Sequence, residues 1–95
     1  MVITILEAEV RQELREKLKR VYHDKTRTLP EHIIQSYLGQ SQSNPTTWRI
    51  LTVWRSQADL DAMRSSGETP TGVLIFQEVE ATPQLSIFEV TTTAR

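Results

Sequence analysis

The sequence predicts an α+β domain of the ferredoxin-like type, in which the element order β-α-β-β-α-β builds one antiparallel sheet. Three observations support this prediction. Four runs are rich in β-branched and aromatic residues, as strands require, one near each end of the chain and two in its middle. The segments that follow the first and the third of these four runs carry apolar residues at helical spacing. Short polar or proline-containing breaks separate these predicted elements. A chain of 95 residues has the length of one domain, which is predicted over residues 1–95.

The first strand is predicted over Val2–Val10, which is rich in β-branched residues. A helix follows, because apolar side chains then recur at helical spacing and form one stripe. The stripe consists of Val10, Leu14, Leu18, Val21 and Tyr22. Pro30 disfavours helical geometry at Leu29, so this helix should end before Leu29. Ile33–Gln42 is the second predicted strand.

The third strand leads directly into the second helix. Thr46–Arg55 is the predicted strand, and Ser56 is a good N-cap for a helix over Gln57–Ser65. Asp59 stands at the third helical position, where it can complete an interaction resembling a capping box. Gly67 should end the helix.

The segment 72–80 fits two structures. Val73–Phe76 has strand propensity, whereas the three-residue spacing of Val73, Phe76 and Val79 also suits a short helix. Propensity does not decide between them over so short a run. Pro83 then precedes a final predicted strand, Leu85–Thr92.

The predicted sheet has two apolar faces. On the third strand, Trp48, Ile50 and Trp54 share one face, while Leu51 and Val53 take the other. Two helices cover only one face of a four-stranded sheet, and the uncovered face of a monomer should be polar. We therefore expect a homodimer that closes sheet on sheet.

Composition excludes several classes of protein. The chain has no cysteine, which rules out disulfides, thiolate nucleophiles and cysteine-based metal sites. With 11 Lys and Arg against 12 Asp and Glu, it predicts neither nucleic acid nor an acidic membrane as a partner. The basic stretch 11–27 is interpreted as a solvated helix face, because two of its three acidic residues form intrahelical pairs. No signal peptide or membrane span is apparent, so a cytoplasmic location is expected.

The stretch Trp48–Leu60, with the sequence WRILTVWRSQADL, resembles the antibiotic biosynthesis monooxygenase family. The turns at 26–30 and 43–45 and the closing Pro83 follow in that family's order. The resemblance implies a dimeric α/β barrel with a pocket in each subunit between the sheet and the helices. Members include monooxygenases that need no metal, flavin or other cofactor and oxidise quinols or polycyclic phenols. A quinol-like or polycyclic aromatic substrate is therefore expected.

Other members of that family degrade haem, using an asparagine, a tryptophan and a histidine. The corresponding places here hold Glu7 or Ala8, then Met63, then Val73, so the resemblance predicts against haem degradation. Many quinol-oxidising relatives carry a histidine where Met63 stands. Met63 thus favours the alternative, a non-catalytic dimeric barrel that binds a small hydrophobic ligand or serves as a sensor or assembly module.

His32 is the candidate catalytic residue, because histidine ordinarily titrates near neutral pH and this one lies near the expected pocket mouth. His23 should be exposed on the first helix. No third ligand accompanies the two histidines, so no metal site is expected. The aromatic and apolar candidates for substrate binding could equally well be residues that pack in the core or at the dimer interface. The candidate substrate-binding residues are Trp54, Tyr37, Trp48, Met63, Phe76 and Arg49.

Overall fold

A computed structural model describes all residues 1–95 and has the predicted ferredoxin-like α+β fold. Four strands form one sheet in the order β2-β3-β1-β4, with every neighbouring pair antiparallel. Three helices connect them. The elements are β1 (Val2–Glu9), α1 (Arg15–Lys25), β2 (Ile33–Gln40), β3 (Thr47–Trp54), α2 (Gln57–Ser65), α3 (Thr71–Glu78) and β4 (Gln84–Glu89).

The first helix packs its predicted apolar stripe against the sheet. Leu18 is fully buried, and the partly buried Leu14, Val21 and Tyr22 surround the same core. The helix proper begins later than the stripe, at Arg15, after a 3-10 turn over Gln12–Leu14. His23 is exposed, as predicted.

The second helix has the predicted bounds because local signals fix both of its ends. The Ser56 hydroxyl accepts a hydrogen bond from the backbone N–H of Asp59 at 3.1 Å, and it donates one to the Asp59 carboxylate at 2.9 Å. Gly67 follows the helix with φ +81°, a conformation that glycine adopts without steric cost. Leu60 anchors the helix in the core.

Residues 72–78 are helical and residues 79–80 form a turn, which settles the choice left open by propensity. Ile75 and Phe76 of α3 are buried, as is Val79 just beyond it. The start of the helix lies close to the sheet: a Cβ added to Gly72 would be only 2.6 Å from Leu6 Cδ1 of β1. Glu80 then reverses the chain with φ 59°.

The last strand is shorter than predicted and ends at Glu89 rather than Thr92. Glu89 pairs with Val2, the first residue of β1, and beyond this point one backbone hydrogen bond remains, from the Val90 N–H to the Met1 carbonyl at 3.0 Å. The other strands match their predicted bounds to within two residues.

The sheet has two unlike environments. Its helix-covered face carries the core, which includes Trp48, Ile50 and Trp54. The opposite face, here called the open face, carries no helix. Apolar side chains on it are Ile3, Ile5, Tyr37, Leu51, Val53 and Phe88. The predicted two-sided apolar pattern is therefore present. None of the three helices is long and apolar enough to cross a lipid bilayer.

Candidate functional site

A cavity of about 740 Å³ lies between the helix-covered face of the sheet and the helices. Its exposed wall is mainly apolar. The sheet forms its floor, α2 and the start of α3 form one side, and the chain from Lys25 to Pro30 forms another. This volume falls in the range of about 300–1,000 Å³ that is typical of small-molecule sites.

Side chains on the cavity floor are arranged in rows that cross the strands. One row is polar and contains Ser36 of β2, Thr52 of β3 and Thr4 of β1, which are paired in register and all line the cavity. We call these three residues the hydroxyl row. An apolar row lies on each side of it. These rows supply Ile50, Leu6 and Leu85 on one side, and Ile33 and Trp54 on the other.

Two hydrogen bonds fix the ends of the hydroxyl row. Thr4 is 7% exposed, and its hydroxyl oxygen accepts a hydrogen bond from Trp54 Nε1 at 2.9 Å. At the other end, the Ser36 hydroxyl lies 2.8 Å from the Tyr22 hydroxyl, and either can donate. The row is thus held by groups from both the sheet and α1.

His32 lies against Trp54 at one end of the cavity. The imidazole and indole rings stack with centroids 5.6 Å apart and planes inclined by 13°. The backbone carbonyl of His32 accepts a hydrogen bond from the Arg55 N–H at 2.9 Å, which fixes this residue beside the end of β3. Both rings line the cavity.

A charged carboxylate stands near His32. The Arg55 guanidinium donates two hydrogen bonds to Asp59, at 2.9 and 3.2 Å, and Ser56 donates a third at 2.9 Å. These bonds, the Arg55 bonds foremost, hold the pKa of Asp59 below its ordinary value, and the charge that His32 can carry lowers this pKa further. Asp59 therefore presents a fixed negative charge at the cavity wall.

The structure brings three of the seven predicted site residues together. His32, Trp54 and Met63 all line the cavity. Trp48 and Phe76 do not, because both are buried in the core cluster that packs against Leu18. Trp48 Nε1 is buried there without a hydrogen-bond partner.

Tyr37 and Arg49 lie on the open face, on the far side of the sheet from the cavity. Alternation counted from Ile33 would place Tyr37 on the cavity side, but a β-bulge between Ile33 and Gln35 reverses the faces for the rest of β2. Arg49 donates to the Glu7 carboxylate at 2.6 Å. It borders a recess of about 200 Å³ on the open face.

Sequence reasoning missed the hydroxyl row. Thr4 and Thr52 share the strand parity of Val2 and Trp54, so period-2 counting could have placed both on the covered face. Ser36 could not be placed in this way, since the bulge precedes it. No cluster of three or more His, Cys, Asp or Glu side chains is arranged to hold a metal ion.

Comparison with known proteins decides the family. The family model described as antibiotic biosynthesis monooxygenase matches residues 1–71, about three quarters of the chain. The chain belongs to the antibiotic biosynthesis monooxygenase family. The match covers β1 to the start of α3 and therefore includes His32, Trp54 and the whole hydroxyl row. No curated protein matches the sequence significantly.

Several solved structures share the fold at low sequence identity. A proposed antibiotic biosynthesis monooxygenase from Deinococcus radiodurans is 13% identical, with a TM-score of 0.77 over 100% of this chain and 97% of that one. MhuD with two manganese protoporphyrin IX molecules bound per active site is 16% identical, with a TM-score of 0.73 over 100% and 99%. SnoaB, a cofactor-independent oxygenase from Streptomyces nogalater, is 12% identical, with a TM-score of 0.68 over 97% and 95%. At these identities the likeness shows the fold alone.

Proposed function

We propose that this protein is a cofactor-independent monooxygenase that oxidises a quinol-like or polycyclic aromatic small molecule. The observation that carries the proposal is the cavity of about 740 Å³ with His32 and Trp54 in its wall. Family membership and the fold shared with SnoaB support an oxygenase reaction. The mainly apolar wall suits an aromatic substrate, which desolvation alone would draw into the cavity.

The proposed reaction takes its electrons from the substrate. With an anthrone, His32 removes a proton from the methylene carbon and leaves a delocalised anion. The anion gives one electron to dioxygen, and the resulting carbon radical and superoxide combine to form a C–O bond. His32 returns its proton to the peroxide. Loss of the second methylene proton with cleavage of the O–O bond then gives the quinone and water, so that one oxygen atom of dioxygen enters each product.

The surroundings of His32 hold it in a fixed position during this cycle. Its backbone carbonyl accepts a hydrogen bond from the Arg55 N–H at 2.9 Å. Stacking on Trp54 holds the ring in one orientation, as a group that both takes and returns a proton requires.

Oxygen uptake tests the proposal. Purified protein is given hydroquinones and anthrones, and the rate is compared with that of the uncatalysed reaction. We expect uptake above this background, with a loss of about 100-fold or more in His32→Ala, as is typical for removal of a general base. His23→Ala is the matched control, because His23 is exposed on α1 away from the cavity. Uptake that stays equal in both variants would contradict the role of His32.

A second function is favoured by Met63. This residue lines the cavity and places an apolar thioether where many quinol-oxidising relatives carry a titratable group. A barrel that binds a small hydrophobic ligand without reacting would have the same cavity. Saturable binding of the aromatic panel with no uptake above background would support this alternative.

We also propose that the working form is a homodimer that pairs two open faces. Tyr37 and Phe88 on this face are 53% and 55% exposed, and Ile3 of β1 lies opposite Phe88 in register. A second copy would bury this apolar surface, and the exposed Glu7–Arg49 ion pair would lie at the same interface. Light scattering at micromolar concentration should give about twice the chain mass of 10.9 kDa.

A further inference from the structure

We propose that the hydroxyl row, Ser36, Thr52 and Thr4, determines specificity by binding the oxygens of an aromatic substrate that carries two of them on one ring. The inference rests on the proposed function for the occupant of the cavity. It adds the residues that select and orient that occupant. Three features of the floor carry it: the spacing of the row, its free hydrogen-bonding capacity and its apolar surroundings.

The spacing of the row follows from strand pairing. Ser36 and Thr4 lie on either side of Thr52, each directly opposite it in an antiparallel ladder. Opposed residues in such ladders have Cα atoms about 4.5–5.5 Å apart. This spacing is close to that between the two oxygens across a single quinone ring. Neighbouring members of the row can therefore each reach one oxygen of the same ring.

The row has unused hydrogen-bonding capacity that faces the cavity. The Thr4 oxygen accepts from Trp54 Nε1, which leaves the Thr4 hydroxyl proton without an acceptor in a side chain that is only 7% exposed. Thr52 makes no side-chain hydrogen bond, and its hydroxyl is not among the buried unpaired atoms, so it is open to the cavity. The Ser36 hydroxyl makes one hydrogen bond with Tyr22 and can still make another. A buried hydroxyl without its bonds costs free energy that an incoming oxygen would recover.

The apolar rows on each side give the polar row its selectivity. Leu6, Ile50 and Leu85 on one side, and Ile33 on the other, contact only the carbon skeleton of a ligand. An oxygen placed over these residues would lose its hydration without replacement. A planar ligand therefore gains most when its oxygens lie along the hydroxyl row. Trp54 is two residues from Thr52 on the same strand face, about 6.7 Å away, so a ring bound in this way lies beside the His32–Trp54 pair.

Equilibrium dialysis with unreactive probes tests this inference separately from catalysis. The probes are 1,4-naphthoquinone, with two oxygens across one ring, and naphthalene, with none. Since the chain has no cysteine, the quinone meets no thiol. We expect wild-type protein to bind both probes, and only quinone binding to depend on the hydroxyl row. Thr52→Val keeps the shape of the side chain and should weaken quinone binding by about 2- to 10-fold while leaving naphthalene binding unchanged.

Ser36→Ala should show the same selective loss, and Ser86→Ala is its matched control. Ser86 lies opposite Ile5 on the open face, so its replacement should change neither affinity. Quinone affinity that is unchanged in Thr52→Val, binding of neither probe, or a parallel loss of both in Thr52→Val would overturn the inference. A selective loss of quinone binding in a protein that shows no oxygen uptake would instead support the row and count against the oxygenase reaction.

Discussion

Trp54 Nε1 donates a hydrogen bond to the Thr4 hydroxyl across two neighbouring strands, at 2.9 Å and out of contact with solvent. The two residues are offset by two residue pairs along the ladder, because Thr4 faces Thr52 and Val2 faces Trp54. This bond links Trp54, on which His32 stacks in the cavity wall, to Thr4 at the end of the hydroxyl row. The stack and the row are therefore positioned by one shared contact.

Trp54→Phe should lower the free energy of unfolding by about 1–3 kcal/mol, because it leaves the buried Thr4 oxygen without its donor. Urea denaturation measures this change. The double variant with Thr4→Val separates the bond from the loss of ring volume. A coupling near zero in this double-mutant cycle would show that the hydrogen bond contributes nothing.

Gly72→Ala should reduce ligand affinity more than stability. The new Cβ would lie 2.6 Å from Leu6 Cδ1, the end of a flexible side chain that lines the cavity, so Leu6 must turn away. Alanine gains about 1 kcal/mol over glycine in a helix, which offsets much of this displacement. Dialysis with 1,4-naphthoquinone should show weaker binding with an unfolding free energy within about 1 kcal/mol of wild type. Gly39→Ala, which meets no atom within 4 Å, is the control.

Glu80→Gly should stabilise the protein. Glu80 has φ 59° after the end of α3, a left-handed conformation that costs a residue with a Cβ about 1–2 kcal/mol. Its ion pair with Arg11 is exposed at both ends and contributes little. Thermal unfolding should show a higher Tm for Glu80→Gly. An unchanged Tm in Arg11→Ala would confirm that the pair is unimportant, whereas a lower Tm in Glu80→Gly would contradict the strain.

The contribution of Asp59 to stability should depend on pH with a defined sign. Its pKa is lowered in the folded protein, chiefly by the Arg55 hydrogen bonds, so the stabilisation is present above the ordinary carboxyl pKa of 3.8. It is lost as the pH falls below 3.8 and through the folded-state pKa. Urea denaturation from pH 7 to pH 2 should therefore show Asp59→Asn less stable than wild type at neutral pH, with the difference closing in acid. Asp61 accepts a bond only from the neutral Gln57 amide, which an asparagine oxygen can also accept, so Asp61→Asn should show no such trend.

Phe88→Asp should convert the proposed dimer to monomer, because it places a charge on the apolar open face, opposite Ile3. Leu74→Asp is the matched control. Leu74 is an exposed apolar residue on α3, on the opposite side of the sheet, and its replacement should leave the mass unchanged. Equal masses of wild type and Phe88→Asp would count against this interface.

The sequence predicted those features that depend on local signals or on strand periodicity. The bounds of α2 follow from Ser56 and Gly67, and the two faces of β3 follow from alternation. The helix α3 could not be assigned, because its short run satisfies both periods and the burial of Ile75 and Phe76 in the core is a tertiary feature.

The cavity was harder to predict than the fold. His32, Trp54 and Met63 were chosen from the family resemblance and from their positions in the predicted fold, and all three line the cavity. Tyr37 was predicted to face the cavity but lies on the open face, because the β-bulge in β2 could not be read from the sequence. Serine and threonine are common on protein surfaces. For this reason the hydroxyl row becomes visible only when strand register brings three separate segments of the chain together.

Incorporation of labelled oxygen tests the central claim most directly. An anthrone is incubated with the protein under ¹⁸O₂, and the quinone product is analysed by mass spectrometry beside a sample without protein. The proposed reaction predicts product formed faster than in that sample, with one labelled atom in each molecule and with this excess absent in His32→Ala. Product that forms no faster with protein than without it, or that carries no label, would contradict a monooxygenase.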